Sequence, residues 1–277
     1  MITLSAFADE IGPDLKLQMD VCEANGIKCI DVRGIDNTNV STMTLKKVAE
    51  YRGQFDDRGF TVPCIGSPIG KIRMDEDFQE HRNLLAHCIE VAHGFGTRLI
   101  RVFSFYPSQG KRVGDERQAV MDRLAKMVEA AGAAGAVLLH ENEKRIYGAK
   151  PDGVKDIFET IRSDHLKSAF DPANYVEEGV APYDDGWRKG LAELTYYFHV
   201  KDKNPGEDAC VPAGQGKGQL AEIFADLKER NWSGYMTLEP HLSKAGQFAG
   251  FTGPALFAEA VRAVKDMCDR AGLRYRK

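Results

Sequence analysis

Eight short runs of strand-forming residues alternate with helix-patterned segments along this chain, and that alternation restricts its fold more than any other feature. The runs are Ile2 to Ala8, Cys29 to Arg33, Thr61 to Gly66, Leu99 to Phe105, Ala136 to Glu143, Leu166 to Asn174, Tyr196 to Asp202 and Gly234 to His241. Between them apolar residues recur at helical spacing, as in Val120, Leu124, Met127, Val128 and Ala131, or Leu220, Ile223, Phe224 and Leu227. Pro13-Asp14 opens the first helix and Gly26 follows it. Ser41 is placed to cap the second and Gly59 to close it, with Gly96, Gly132 and Gly272 as further stops.

Strands alternating with helices build right-handed βαβ units on a parallel sheet. Eight such units at this length predict an α/β fold, a single (β/α)8 TIM barrel over residues 1–277. The competing open sheet carries a G-x-G-x-x-G turn after its first strand. Here that position reads Ala8-Asp9-Glu10-Ile11-Gly12-Pro13.

Composition narrows the partners. A 43% apolar chain of 277 residues can bury one large core, and no Pro/Ser/Gly-rich linker divides it. A formal charge of −4 with interspersed signs offers no basic stripe, so nucleic acid is not an expected partner. No run approaches the roughly 20 apolar residues that cross a bilayer, and Met1-Ile2-Thr3-Leu4-Ser5 lacks a signal-peptide pattern. A cytoplasmic protein without membrane partners is expected. Cys22, Cys29, Cys64, Cys88, Cys210 and Cys268 form no C-x-x-C pair and read as reduced thiols; Cys210, in a polar loop, has no assignable role.

Glu141, Asp171, His199 and Glu239 each stand near the end of one of the last four runs. In a TIM barrel those ends share one catalytic face. Three carboxylates brought together there would repel one another unless protons or a cation intervened, so the set reads as four ligands of one divalent metal. Oxygen-rich ligation with one imidazole favours Mn2+ or Mg2+, with Co2+, Fe2+ or Zn2+ also compatible. Taken singly, Asp171 is equally suited to capping the helix that follows it.

These segments resemble the xylose-isomerase-like TIM-barrel superfamily, the group of sugar phosphate isomerases/epimerases and AP endonuclease family 2. The resemblance rests on Glu141, Phe170-Asp171-Pro172-Ala173-Asn174, His199-Val200-Lys201-Asp202, Gly214-Gln215-Gly216 and Leu238-Glu239-Pro240. Cys64 to Lys71 and Arg101 to Tyr106 also look like this group, so it covers nearly the whole chain. It implies a metal held by Glu141, Asp171, His199 and Glu239, with Glu141 and Glu239 as the catalytic acid/base pair on opposite faces of a sugar. The ketose 3-epimerase branch carries a histidine where this chain has Asn174, and an arginine near Lys203 or Pro205, so the reaction stays open within the superfamily.

Around that floor, period-two alternation puts Lys201 beside His199, and His241 beside Glu239. Both are expected substrate contacts; Lys201 equally suits an ion pair with Asp202 or the carboxylate floor, and His241 a surface loop. Arg33 shares a face with Asp31, as a substrate contact or as half of a buried pair with it. Ser67 and Lys71 suit hydroxyl or anion binding, or a plain turn; Asn174 completes the expected substrate-binding set. Glu143 suits a substrate hydroxyl or a solvated stretch. The polar segment from Lys203 to Gly218 reads as a lid over a sugar, and its single Lys217 favours an unphosphorylated sugar or sugar acid. His81, His87, His93 and His165 read as structural, and His140 as facing the helices.

The expected activity is a divalent-metal-dependent isomerase or epimerase acting on a sugar or sugar derivative by proton transfer through a metal-stabilised enediolate. The alternative is a lyase or dehydratase on a keto-sugar or cyclitol derivative. An endonuclease IV-like nuclease or a non-catalytic sugar-binding barrel fits the residues less well. By resemblance, a homodimer or tetramer is expected.

Overall fold

The computed structural model describes residues 1–242 and 252–276. Among the described residues there are ten strands: β1 (Ile2–Ala6), β2 (Gly34–Ile35), β3 (Thr38–Asn39), β4 (Cys64–Ile65), β5 (Leu99–Val102), β6 (Val137–Glu141), β7 (Leu166–Phe170), β8 (Thr195–Val200), β9 (Gly234–Leu238) and β10 (Tyr275–Arg276). The main sheet is parallel and runs β10-β1-β9-β8-β7-β6-β5-β4. It closes into a barrel through residues 29–32. Ile30 bridges Ala6, while Cys29 and Val32 bridge Thr61 and Ile65.

That closing segment is the least regular of the eight staves. The expected second strand, Cys29 to Arg33, is held by separate bridges, and the chain then turns into the antiparallel β2–β3 hairpin. The hairpin turn places Asp36 and Asn37 at positive φ, a conformation that Asn and Asp tolerate. β10, which pairs in parallel with β1 at Ile2 and Thr3, had no signal in the pattern of apolar runs.

The pleat of the strands sorts side chains into two cores. Cys64, Leu99, Val137, Leu139, Ala169 and Tyr197 fill the barrel interior, while Leu138, Leu166, Phe170, Phe198 and Val200 pack outward against helices. Above the inner apolar layer lies a polar one. Asp31 is fully buried and accepts from Ser5 Oγ at 2.7 Å, from Tyr197 OH at 2.8 Å and from Thr237 Oγ1 at 2.9 Å. Burial raises the Asp31 pKa, and the hydroxyls of Ser5 and Tyr197 pull against that rise.

Helix termini follow local chemistry, with two corrections. Asp14 caps Leu15–Ala24 through Leu17 N at 2.7 Å. Thr44, not Ser41, caps Leu45–Asp57, because Ser41 is drawn into the turn by Asn39. Gly132 lies within Arg117–Ala133, and Gly135, at φ 73°, makes the turn after it. Among the described residues no helix is long and apolar enough to cross a membrane.

Candidate metal centre and active site

β6, β8 and β9 each end on an inward-pointing column: Val137-Leu139-Glu141, Tyr197-His199-Lys201 and Tyr235-Thr237-Glu239. Each column climbs from apolar core to charged floor in steps of two residues. With Asp171, one residue beyond β7, the columns bring four buried groups together. One ligand atom from each of Glu141, Asp171, His199 and Glu239 lies within 4.8 Å of all the others.

The distances within the cluster are short and its hydrogen bonding incomplete. His199 Nδ1 lies 3.2 Å from Glu141 Oε1 and 3.8 Å from Glu239 Oε2. Lys201 Nζ is 2.7 Å from Asp171 Oδ2 and 3.4 Å from Glu239 Oε2. Yet Glu141 Oε2, Asp171 Oδ2 and His199 Nδ1 have no partner in hydrogen-bonding geometry, although all three are buried. Buried polar atoms left in this state are costly unless something absent from the chain satisfies them. Three oxygens and one imidazole nitrogen around one point fit a divalent cation.

Electrostatics divide the four. Burial pushes Asp171 up to about 6, against the pull of Lys201. Burial also acts upward on Glu141, but His199 and Arg101 outweigh it and hold that carboxyl at about 2. Glu239 lies well below the usual range, because Lys201, His241, Arg33 and Arg101 together overcome its desolvation. His199 is raised: burial favours the neutral ring, but Glu141 and Glu239 favour its protonated form more.

The remaining expected contacts fall into two groups. Arg33, Lys71, Lys201 and His241 line a cavity of about 250 Å3 together with Arg101, Glu141, Glu143 and Glu239. Lys71 pairs there with Glu143 at 2.8 Å and sits over the Phe103 ring. Lys201 pairs with the carboxylate floor and not with Asp202. His241 is no surface histidine: its Nε2 lies 2.9 Å from Glu10 and 3.4 Å from Glu239, and its pKa rises to about 9 because hydrogen bonds with Cys210 and Glu10 outweigh burial. Ser67 and Asn174 lie outside that lining. Ser67 is fully buried, donating to Arg101 O and accepting from Ile69 N, as a turn serine does. Asn174 stands behind the floor and donates to Glu141 Oε1 at 3.2 Å and to Asn142 O at 2.8 Å.

Arg33 does not pair with Asp31, which its hydroxyl cage already satisfies. It reaches Asp9, Glu10 and Glu239 at 2.7, 2.7 and 2.8 Å. Sequence reasoning missed Asp9, Glu10 and Arg101. Arg101 had a legible signal, a cation in the middle of the apolar run Leu99-Ile100-Arg101-Val102-Phe103 at the inward period. Glu10 had none, because it follows its strand on a short 3-10 turn.

Asp202 organises the segment expected to be a lid. Its carboxylate accepts from the backbone N–H groups of Lys203, Gly214, Gly216 and Gly218 at 2.8–3.0 Å. Lys203 pairs with Glu177, and Cys210 N donates to His241 O at 3.1 Å. Cys210 is thus buried beside the site histidine, and all six cysteines are free and buried.

A family model, Xylose isomerase-like TIM barrel, matches residues 19–267. The chain belongs to this family. No curated protein matches it. Among solved structures, this xylose isomerase-like barrel is similar to the probable 3-DHS dehydratase AsbF from Bacillus anthracis, at 15% identity and a TM-score of 0.75 over 96% of this chain and 99% of that one. An L-ribulose 3-epimerase superposes at a TM-score of 0.71, with 18% identity over 98% of this chain and 95% of that one. A xylose isomerase-like TIM barrel protein from Mycobacterium smegmatis, in complex with magnesium, gives 0.72 at 15% identity over 98% and 97%. At such identities the likeness is one of fold.

Proposed function

We propose that this protein is a divalent-metal-dependent isomerase or epimerase acting on a sugar or sugar derivative. The observation that carries the reading is the buried convergence of Glu141, Asp171, His199 and Glu239, with three of their ligand atoms lacking hydrogen-bond partners. These four residues would hold Mn2+ or Mg2+, with Zn2+, Co2+ or Fe2+ as alternatives. A cation held there supplies Lewis-acid polarisation of a carbonyl and its neighbouring hydroxyl.

The chain supplies the proton chemistry. Glu141 and Glu239 lie 3.2 and 3.8 Å from the His199 ring nitrogen and both line the cavity, so one removes a carbon-bound proton and the other returns one. Return to the opposite face inverts a centre; return to the adjacent carbon interconverts aldose and ketose. Lys201 stays close enough to Asp171 and Glu239 to balance their charge as the proton moves. Arg33, Lys71, Asn174, His241 and Ser67 are assigned graded parts: the first two and His241 contact the sugar from the cavity wall, Asn174 orients Glu141, and Ser67 shapes the turn.

Elemental analysis of the purified protein beside Glu141→Gln and Asp171→Asn tests the metal. About one ion per chain, lost in the variants, supports the site. Sugars are then screened for solvent deuterium incorporation and for product identity. Exchange with interconversion supports the isomerase reading. Loss of water or of a leaving group would replace it with the lyase reading, which the likeness to a probable dehydratase keeps in view. A protein that stays metal-free in excess Mn2+, Mg2+ and Zn2+ would sink both.

A further inference from the structure

Arg101 is the one Lys or Arg side chain of this site, among the described residues, with no carboxylate oxygen closer than 3.4 Å. Arg33 has Asp9 and Glu10 besides Glu239, Lys201 has Asp171 at 2.7 Å, Lys71 has Glu143, and His241 has Glu10. Arg101 instead points one terminal nitrogen into the gap between two shared carboxylates, 3.4 Å from Glu141 Oε2 and 3.9 Å from Glu239 Oε1. Both distances exceed those of a formed charge-assisted hydrogen bond. The other terminal nitrogen donates to Gly66 O at 3.3 Å, and Nε has no hydrogen-bond partner although it is buried.

The surroundings fix this guanidinium. Its central carbon lies 4.9 Å from the Phe7 ring centroid and 5.1 Å from that of Phe103, so two aromatic rings restrain it. The side chain is only 7% exposed, and what it exposes lines the 250 Å3 cavity. A desolvated cation held rigidly and short of donors' partners is an arrangement prepared for negative charge that arrives later.

We infer that Arg101 is a further catalytic residue, one that contacts the reacting oxygen of the substrate and holds the anion formed on deprotonation. This deepens the proposed isomerase reading and rests on it. As the carbon-bound proton passes to a glutamate oxygen, the C–H electron pair becomes the C=C bond of an enediolate and the carbonyl oxygen takes the charge. Arg101 keeps its own proton throughout, since guanidinium groups remain cationic in protein interiors. Its place between Glu141 and Glu239 aims its N–H at the region that oxygen occupies when the two glutamates stand on opposite faces of the reacting carbon. The substrate class that follows has its carbonyl oxygen directed at Arg101, and a planar, two-oxygen anion should bind better than a neutral polyol.

The test uses the metal-loaded full chain, Arg101→Met and Arg101→Lys, with glycolohydroxamate as a planar anionic mimic of an enediolate. Metal affinity is read by chelator competition and hydroxamate affinity by calorimetry. The expected result is metal affinity equal to or tighter than wild type in both variants, with hydroxamate weakened about 100-fold in Arg101→Met and less in Arg101→Lys. A merely structural arginine would instead weaken metal and hydroxamate together, and that result overturns the inference. So does hydroxamate affinity unchanged by the substitutions, or a metal-loaded wild type that binds none. A wild type that takes up no metal removes the proposed function itself and is recognised before any hydroxamate is added.

Discussion

The backbone N–H of Asn174 donates to Asp171 Oδ1 at 3.0 Å, so one oxygen of Asp171 caps a helix while the other faces the cluster. The two roles open to this aspartate in the sequence are therefore compatible. The cap is a backbone contact that holds the Asp171 carboxylate, and the Asn174 side chain turns back to Glu141, so two carboxylates of the cluster meet one asparagine.

Replacing Asn174 with Ala keeps the backbone cap on Asp171 and removes the side-chain contact to Glu141, so it should loosen Glu141. Partners that orient metal ligands typically contribute about 10- to 100-fold in metal affinity. We expect a loss in that range by chelator competition, with the fold retained by circular dichroism. An unchanged affinity would mean that Glu141 is held in place without the Asn174 side chain.

Metal uptake should weaken as pH falls. Asp171, raised to about 6 by burial, and His199, raised by Glu141 and Glu239, both have to lose protons before they can ligate. Affinity should therefore be highest at alkaline pH and decline through pH 6. Below that it should fall by more than one decade per pH unit. Calorimetry at pH 8, 6 and 5 reads this directly, together with the protons released.

Arg33→Ala should be among the most destabilising single changes. It leaves Asp9, Glu10 and Glu239 crowded and buried without their common partner. Breaking a buried ion-pair network by removing one member costs about 3–5 kcal/mol. Urea unfolding at pH 7 measures it, and a loss under about 1 kcal/mol would show that solvent reaches the cluster.

His81 makes stability depend on acid. Its buried Nε2 accepts from Gly70 N at 2.7 Å, and burial, with help from Arg123, lowers its pKa from 6.5 to about 4. Such a group is neutral when folded. Its contribution is complete above pH 6.5 and is lost as pH falls towards 4, up to about 3 kcal/mol. His140, likewise held at about 4 by burial, adds to the same window. His81→Gln should flatten the dependence of unfolding free energy on pH between 6.5 and 4.

The convergence of Glu141, Asp171, His199 and Glu239 was legible because β6 to β9 run five or six residues each and are largely apolar, so the period-two pattern projects to the strand end. The closing segment at residues 29–32 was harder. Its side chains keep the alternation, with Asp31 and Arg33 inward, but its pairing is a set of separate bridges and its charges find partners far away in sequence. Arg33 meets Glu239 and Asp31 meets Tyr197, contacts that only the closed barrel creates. Ser41 and Thr44 show the same limit locally: both suit a cap, and Asn39 decides between them by engaging Ser41. Ser67 was left open between two roles because a hydroxyl beside a cavity and a hydroxyl closing a turn have the same sequence appearance.

Lys201 and Asp202 are neighbours that point to opposite sides of the barrel wall, the cation into the carboxylate floor and the anion into four backbone amides of the following loop. Sliding β8 by a single residue would exchange them. A fourth carboxylate would then enter a site already rich in them, while an ammonium would confront a nest of N–H dipoles that it cannot satisfy. Both halves of the error are repulsive, so this dipeptide acts as a proofreading device for strand alignment, enforced by charge where hydrophobic pattern alone would leave the alignment less sharply determined.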